Sequence, residues 1–541
     1  MRWRGLVTAE LAARRAPHAA AADTALATAH ARWAAAARRA ARLEVSDAAS
    51  PEVLAAGRSE AEAAERRFAS LAAARGITRD TAEASLARVR AALAPDEALV
   101  SLFRTAADTD SSRIVAFTTL GPAGALRRLD LGSAAVLSER IEAWRAALSR
   151  PPAHGRGRRE ERACRRLGAG IRALTLDRWA AAIAGAKRVV LVADGELADL
   201  PWQALPEGES GYLVESGVEV RTPAAEREIL AAPSRDGRGL LALGDPDFGR
   251  ADSGAASGRA ATRGPAPVPA GTSALTASAL ASRSLGAGCD EPPAIALGPL
   301  PGARAEVEDI SRAWSAAHPG DPVTSLVGAA GTERAFKADA HGRAVLHLAT
   351  HGILWGDSCA PVYEGTRGVG GVSPLPPSDA KRPSRPAAVA RKPAPAPTPW
   401  SGRRMWLALA GANHARAGAA DENDGLLTAD EVVTLDLSDA DWVVLSACQS
   451  GVGASWPLEG SSGMRRAFRL AGAHVVIASQ WAIGDESTRE WMRALYAART
   501  DATTSAAHAM AAASREVLAA RRRAGRDTHP FHWAAFTATG D

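Results

Sequence analysis

Residues 345–352 read VLHLATHG, and residues 442–451 read WVVLSACQSG. Each is a short apolar run that ends at a reactive side chain, His351 or Cys448, with small residues close behind. Unbroken apolar runs of this length mark strands buried on both faces, as in a parallel sheet. In such sheets ligands bind beyond the carboxyl ends of the strands. If the two strands are neighbours, His351 and Cys448 share one edge. A thiol beside an imidazole is the minimum for a cysteine nucleophile, because the imidazole favours the thiolate and can protonate a leaving amine. Gly352 has no Cβ, so its N–H can approach a substrate closely. The N–H groups of Gly352 and Cys448 together would stabilise a tetrahedral oxyanion. On the residues alone, a buried core thiol remains the plainer alternative for Cys448.

The flanking sequence carries the same alternation. Strands are predicted at 98–103, 114–117, 188–193, 323–327, 344–349, 442–447 and 475–481. Helices are predicted between them at about 133–149, 158–185, 303–316, 332–340, 460–472 and 487–499, with a capping box at Thr428–Glu431 opening a short helix. Strands alternating with helices give an α/β domain. Before it, residues 1–95 are rich in Ala, Arg and Glu at helical spacing, with helices expected at about 2–15, 22–43, 51–74 and 79–94. Three regions follow: a helical part at 1–95, an α/β half at 96–235 without a His–Cys pair, and a second α/β domain at 236–541. Two low-complexity stretches interrupt the last. Residues 250–295 are rich in Gly, Ala, Ser and Pro, and the Pro-rich insert at 357–403 is expected to be extended and flexible.

Composition excludes several classes. The chain has 541 residues, 47% hydrophobic and 23% charged, which excludes bulk disorder. A net charge of +5 over this length, with no basic block interleaved with aromatics, gives no nucleic-acid footprint. No run of about 18 uncharged apolar residues is present, so no membrane partner is expected, and the N-terminus lacks the apolar core of a secretory signal. The four cysteines, 164, 289, 359 and 448, form no CxxC pair, which points to a reducing, cytoplasmic compartment.

Three other motifs fail on spacing. His347 and His351 on a strand lie about 13 Å apart, too far for one metal, so His347 is read as a core histidine. Counting from Asp421, positions six and twelve of a calcium loop are Leu426 and Val432, not Gly and Glu. Gly451-Val452-Gly453 is followed by no Gly-Lys-Ser/Thr, which rejects a phosphate loop. Cys164, Cys289 and Cys359 have no catalytic context.

Longer motifs carry a specific resemblance. HLATHG, DGLLTADEVVTLDL, DWVVLSACQSGVGA, EGSSGMRRAFRLAGAHVVIASQWAIGDEST and HPFHWAAFTATGD occur in order, after LADLPWQALP at 197–206, LALGDPDFG at 241–249 and LPGARAEVEDI at 300–310. This set resembles the CHAT peptidases, caspase-like cysteine proteases related to separase and often fused to tetratricopeptide repeats. The resemblance implies a caspase-like α/β sandwich with a central, mostly parallel sheet, preceded here by a helical region, with 96–235 as a pseudo-caspase half. It implies His351 as general base and acid, Cys448 as nucleophile, and the Gly352 and Cys448 N–H groups as the oxyanion site. Ser479, Gln480 and Trp481, in the strand Val475–Trp481, would pair with an extended substrate. Asp485 would form the S1 pocket for a basic P1 residue. No metal or organic cofactor is implied. The implied partners are a protein substrate, such as a gasdermin-like pore-forming protein in a bacterial regulatory or defence pathway, and an activating sensor or repeat-containing protein. Two features depart from the family pattern: Gln480 stands where an apolar residue is common, and the insert is long. A catalytically silent scaffold, or a zymogen that needs a partner, is the rival reading.

Overall fold

The structure is a computed structural model. It describes residues 23–45, 51–75, 85–105, 112–230, 236–249, 297–354, 405–414, 423–447, 455–456, 460–461, 463–501 and 503–540. The helix expected at 2–15, both low-complexity stretches and Cys448 lie outside them.

In chain order the elements are helices α1 (Thr24–Val45), α2 (Pro51–Ala74) and α3 (Leu86–Ala92), then strands β1 (Glu97–Arg104), β2 (Arg113–Leu120) and β3 (Arg127–Ser133). Helices α4 (Ala134–Leu148) and α5 (Gly157–Leu174) follow, then β4 (Arg188–Val192) and β5 (Glu219–Arg221). Next come β6 (Leu240–Pro246), α6 (Pro301–Ala317), β7 (Val323–Gly328), α7 (Glu333–Asp339), β8 (Val345–Ala349) and β9 (Gly352–Leu354). The rest are β10 (Met405–Ala408), β11 (Leu426–Thr428), α8 (Ala429–Val432), β12 (Trp442–Leu445), α9 (Met464–Leu470), β13 (Val475–Ser479), α10 (Asp485–Ala498), α11 (Ala506–Arg523) and β14 (Phe536–Thr539).

The fold is α/β. A first sheet has the order β3-β2-β1-β4-β5, and a second, larger one the order β14-β13-β12-β8-β6-β7. In the second sheet all pairings are parallel except β13 with β14. The edge strands β5 and β14 meet through one antiparallel bridge, Thr222 with Gly540, where the Thr222 hydroxyl also donates to Ala538 O at 2.9 Å.

Alternation along the strands sorts their side chains onto two faces. Val345, Trp442, Val444, Val475 and Ile477 point to the face covered by α6, α10 and α11. Leu346, Leu348, Val443, Leu445 and Val476 point to the face covered by α7, α8 and α9. Both faces are dry, so each central strand reads as a continuous apolar run. At the N-terminus α1 and α2 pair through Leu26, Trp33, Phe68 and Ala72, and α1 also lies against α8.

Several elements differ from expectation. The helix expected at 158–185 ends at Thr175, whose φ of −123° and ψ of −93° are not helical and whose hydroxyl is turned back onto Ile171 O. The helix expected at 79–94 spans Leu86–Ala92 among the described residues. Helix α11 and strands β3, β5, β6, β9, β10, β11 and β14 were not anticipated. β3 is an edge strand that opens with two exposed charges, Arg127 and Arg128, and β14 is four residues long.

Candidate active site

Strands β8 and β12 are neighbours and parallel, and their last register pair is Leu348 with Leu445. Ser446 N extends the ladder to Leu348 O at 2.8 Å. In sequence, His351 and Cys448 each come three residues after the same rung. Cys448 itself lies outside the described residues. The chain is described as far as Ala447, which is buried and accepts a hydrogen bond from the Ser479 hydroxyl.

His351 is 9% exposed, and its Nε2 lies 3.0 Å from Gly298 O. A carbonyl only accepts, so Nε2 carries the hydrogen and Nδ1 is the basic nitrogen of the neutral ring. The Phe248 ring packs on the imidazole with centroids 5.0 Å apart. Together they fix both tautomer and ring direction.

Gly298 is held by a strap, residues 297–300, that leads into α6. Leu297 is clamped at both ends of its peptide by Asn413, N to Oδ1 at 2.7 Å and O from Nδ2 at 3.0 Å. Asp245 receives Leu300 N at 2.6 Å and Arg304 Nε at 3.0 Å. With φ of +45°, Asp245 is the one non-glycine residue among those described in the left-handed region, a conformation that Asp and Asn tolerate best. Sequence reasoning missed this support. A backbone carbonyl leaves no side-chain signal, and Asp245 and Asn413 lie 168 residues apart (413 − 245).

Gly352 opens β9, the edge strand of a small antiparallel sheet, β9-β10-β11. His351 O accepts from Ala408 N at 3.0 Å, and Gly352 faces Leu407 in the next register position. Backbone groups alternate in an antiparallel pair, so the Gly352 N–H points away from β10.

The substrate edge expected along Val475–Trp481 is not free over Val476–Gln480. β13 is flanked by β12 on one side and β14 on the other, with Ser479 opposite Phe536. Gln480 N continues the pairing to Ala535 O at 2.7 Å. The C-terminal strand thus occupies the position an added strand would take. The Gln480 side chain is polar for a visible reason: Nε2 donates to Thr537 Oγ1 at 2.8 Å, and Oε1 accepts from Arg145 Nη2 at 3.3 Å. Trp481 Nε1 donates to Phe531 O at 3.2 Å.

Asp485 is the first residue of α10, after Gly484 at the N-cap. It borders a cleft of about 480 Å³ shared with Pro301, Gly302, Ala305 and Arg489. Its carboxylate oxygens are shielded from solvent and rest on Gly302 in the first turn of α6, so closely that a Cβ at 302 would stand 2.2 Å from Oδ2. The start of α6 thus joins Gly298, the partner of His351, to Gly302, the neighbour of Asp485.

His347 is a core residue. It is fully buried, with Nε2 3.0 Å from Glu306 Oε1 and Nδ1 3.2 Å from the Tyr496 hydroxyl. The carboxylate accepts, so Nε2 carries the hydrogen and Nδ1 receives the phenol, which burial keeps protonated by raising its pKa. Burial likewise pushes the Cys164 thiol up to about 12, so it is protonated and inert near neutrality. Among the described residues no cluster of three or more His, Cys, Asp or Glu could hold a metal ion. None of their helices is long and apolar enough to cross a membrane.

The family model for the CHAT domain matches residues 165–541. No curated protein sequence matches the chain. Among solved structures, it is similar to the Saccharomyces cerevisiae separase–securin complex at 7% identity and TM-score 0.44, covering 88% of this chain and 31% of that one. It is also similar to the Arg-specific cysteine proteinase gingipain R, at 10% identity and TM-score 0.33, covering 66% of this chain and 63% of that one. A complex of the Porphyromonas gingivalis RgpB pro- and mature domains matches at 10% identity and TM-score 0.32, covering 65% and 64%. The chain therefore spans less than two thirds of each of these structures.

Proposed function

Since the chain belongs to the CHAT domain family, we propose that it is a cysteine endopeptidase that cuts a protein substrate with His351 and Cys448. The observation that carries this reading is the parallel register of β8 and β12: His351 follows Leu348 by three residues, and Cys448 follows Leu445, the partner of Leu348, by three. His351 Nδ1 takes the thiol proton, because Nε2 is engaged by Gly298 O. The thiolate attacks the scissile carbonyl, and the Gly352 and Cys448 N–H groups receive the oxyanion. The imidazolium then protonates the leaving amine. Water, deprotonated by the same nitrogen, hydrolyses the thioester and restores the thiol.

Substrate pairing belongs at Trp481 or later, because β14 fills the edge before it. Asp485 gives the reading its P1 residue. Turned from Gly302 into the adjoining cleft, its carboxylate would meet an Arg or Lys side chain. The test is a peptide library varied at P1, incubated with the full chain and with Cys448→Ala. Cleavage after Arg or Lys by the parent alone supports both assignments. Cleavage after other residues keeps the dyad and removes Asp485 from S1. No cleavage by the parent favours the silent scaffold or a partner-dependent zymogen.

A further inference from the structure

The first α/β half contains no His–Cys pair, yet two of its side chains reach the segments that flank the nucleophile. Arg465, in α9, has its side chain 2% exposed and spans several elements with one guanidinium. Nη1 donates to Asp199 Oδ1 at 3.2 Å and to Thr539 Oγ1 at 3.4 Å. Nη2 donates to Ala478 O at 3.2 Å and to Thr537 Oγ1. Asp199 belongs to the loop after β4, in the first half, and its side chain is 4% exposed. The next residue after Ala478 is Ser479, whose hydroxyl donates to Ala447 O, and Ala447 precedes Cys448. A second arm from the first half, Arg145 of α4, holds Gln480, which meets Arg465 at the Thr537 hydroxyl. The short ladder Ser455–Trp456 with Gly460–Ser461, between Cys448 and Arg465 in the chain, lies beside the Gly195–Leu197 turn of the same loop.

A buried ion pair is poor value for stability, since apolar residues of similar size do as well or better. What a guanidinium adds is geometry: a rigid fork that fixes several acceptors at once. We propose that Arg465, oriented by Asp199, is a positioning residue through which the first α/β half sets the end of β13 and the backbone leading into Cys448. The proposal rests on the dyad reading above. It gives the first half a catalytic purpose without chemistry of its own: it holds the end of β13 and, through Ser479, Ala447, the residue before Cys448.

The test uses the full chain with Arg465→Lys, which keeps the charge and loses the fork. A second variant, Asp199→Leu with Arg465→Met, removes the pair and leaves no unpaired buried charge. Three quantities are read: the urea midpoint, kcat and KM on a cleaved peptide, and the rate of Cys448 alkylation by iodoacetamide, followed by the mass of its peptide. Both variants are expected to lower kcat 10- to 100-fold with KM within about threefold, and to slow alkylation at least fivefold. The folded state should persist in at least the double variant. A lowered urea midpoint with unchanged kcat and unchanged alkylation would overturn the proposal, because a merely structural pair moves only the first. Failure of the dyad reading is distinguishable: the parent's alkylation rate would then be insensitive to His351→Ala, whatever Arg465 does.

Discussion

Asp245→Ala should separate the stability of the α6 start from its effect on catalysis. The carboxylate makes two contacts. The one to Leu300 N is buried at 2.6 Å, and losing it strands a buried N–H, at about 1–3 kcal/mol. The one to Arg304 Nε joins a side chain that is 47% exposed, so it adds at most about 1 kcal/mol. Alanine must also hold the φ of +45°, at a further cost of about 1 kcal/mol. The sum is about 2–5 kcal/mol, read as a lower urea midpoint. The catalytic effect comes through Gly298, two residues before Leu300. If its carbonyl moves by about 1 Å, the 3.0 Å bond to His351 Nε2 is lost, and the ring is free to take the other tautomer. We expect kcat to fall about 10- to 100-fold, with KM nearly unchanged. Asp245→Asn is the control: it tolerates the same backbone, keeps an acceptor for Leu300 N, and should hold kcat within about threefold. If Asp245→Ala lost stability while keeping kcat and its pH profile, the strap would not orient His351.

Asp485→Asn should lower turnover of peptides with Arg or Lys at P1 by about 10-fold or more. A loss of stability with unchanged P1 preference would instead confine the carboxylate to supporting the start of α6. Gly244→Ala places a methyl 2.5 Å from Val307 Cγ2 and 2.8 Å from Ala303 O, so α6 must shift, destabilising the fold by about 1–3 kcal/mol. An unchanged urea midpoint would contradict that contact. His532 provides a pH prediction. Desolvation, then the Arg521 charge, pushes its pKa from 6.5 down to about 4. Between these values the unfolded chain binds a proton that the folded chain does not, so stability falls as pH drops through the window, by on the order of 3 kcal/mol. His532→Phe should flatten that slope, and a slope equal to the parent's would refute the assignment.

The central sheet was legible because its strands are buried on both faces. β8, β12 and β13 carry apolar side chains to two separate cores, and runs this short and rich in Val, Ile and Leu favour strand over buried helix. The two strand ends that hold His351 and Cys448 were visible for the same reason. What tertiary contacts decide was not visible. β14 is short and half polar, yet it takes the edge that an isolated reading of Val475–Trp481 leaves open for substrate. Gln480 looked like a departure from an apolar position until Arg145, 335 residues away, and Thr537 supplied its partners. Asp485 opens its own helix, yet its carboxylate abuts the first turn of a different one, a contact that no local pattern signals. Gly298 acts through a carbonyl that every residue carries, so its role follows only from where Asn413 and Asp245 hold the strap.

The central claim is that His351 activates Cys448, and the pH dependence of Cys448 alkylation tests it most directly. With the imidazole beside it, the thiol should react as a thiolate below pH 7, and His351→Ala should move the inflection up toward the ordinary thiol value of about 8.5. An inflection that is the same in both proteins would contradict the dyad.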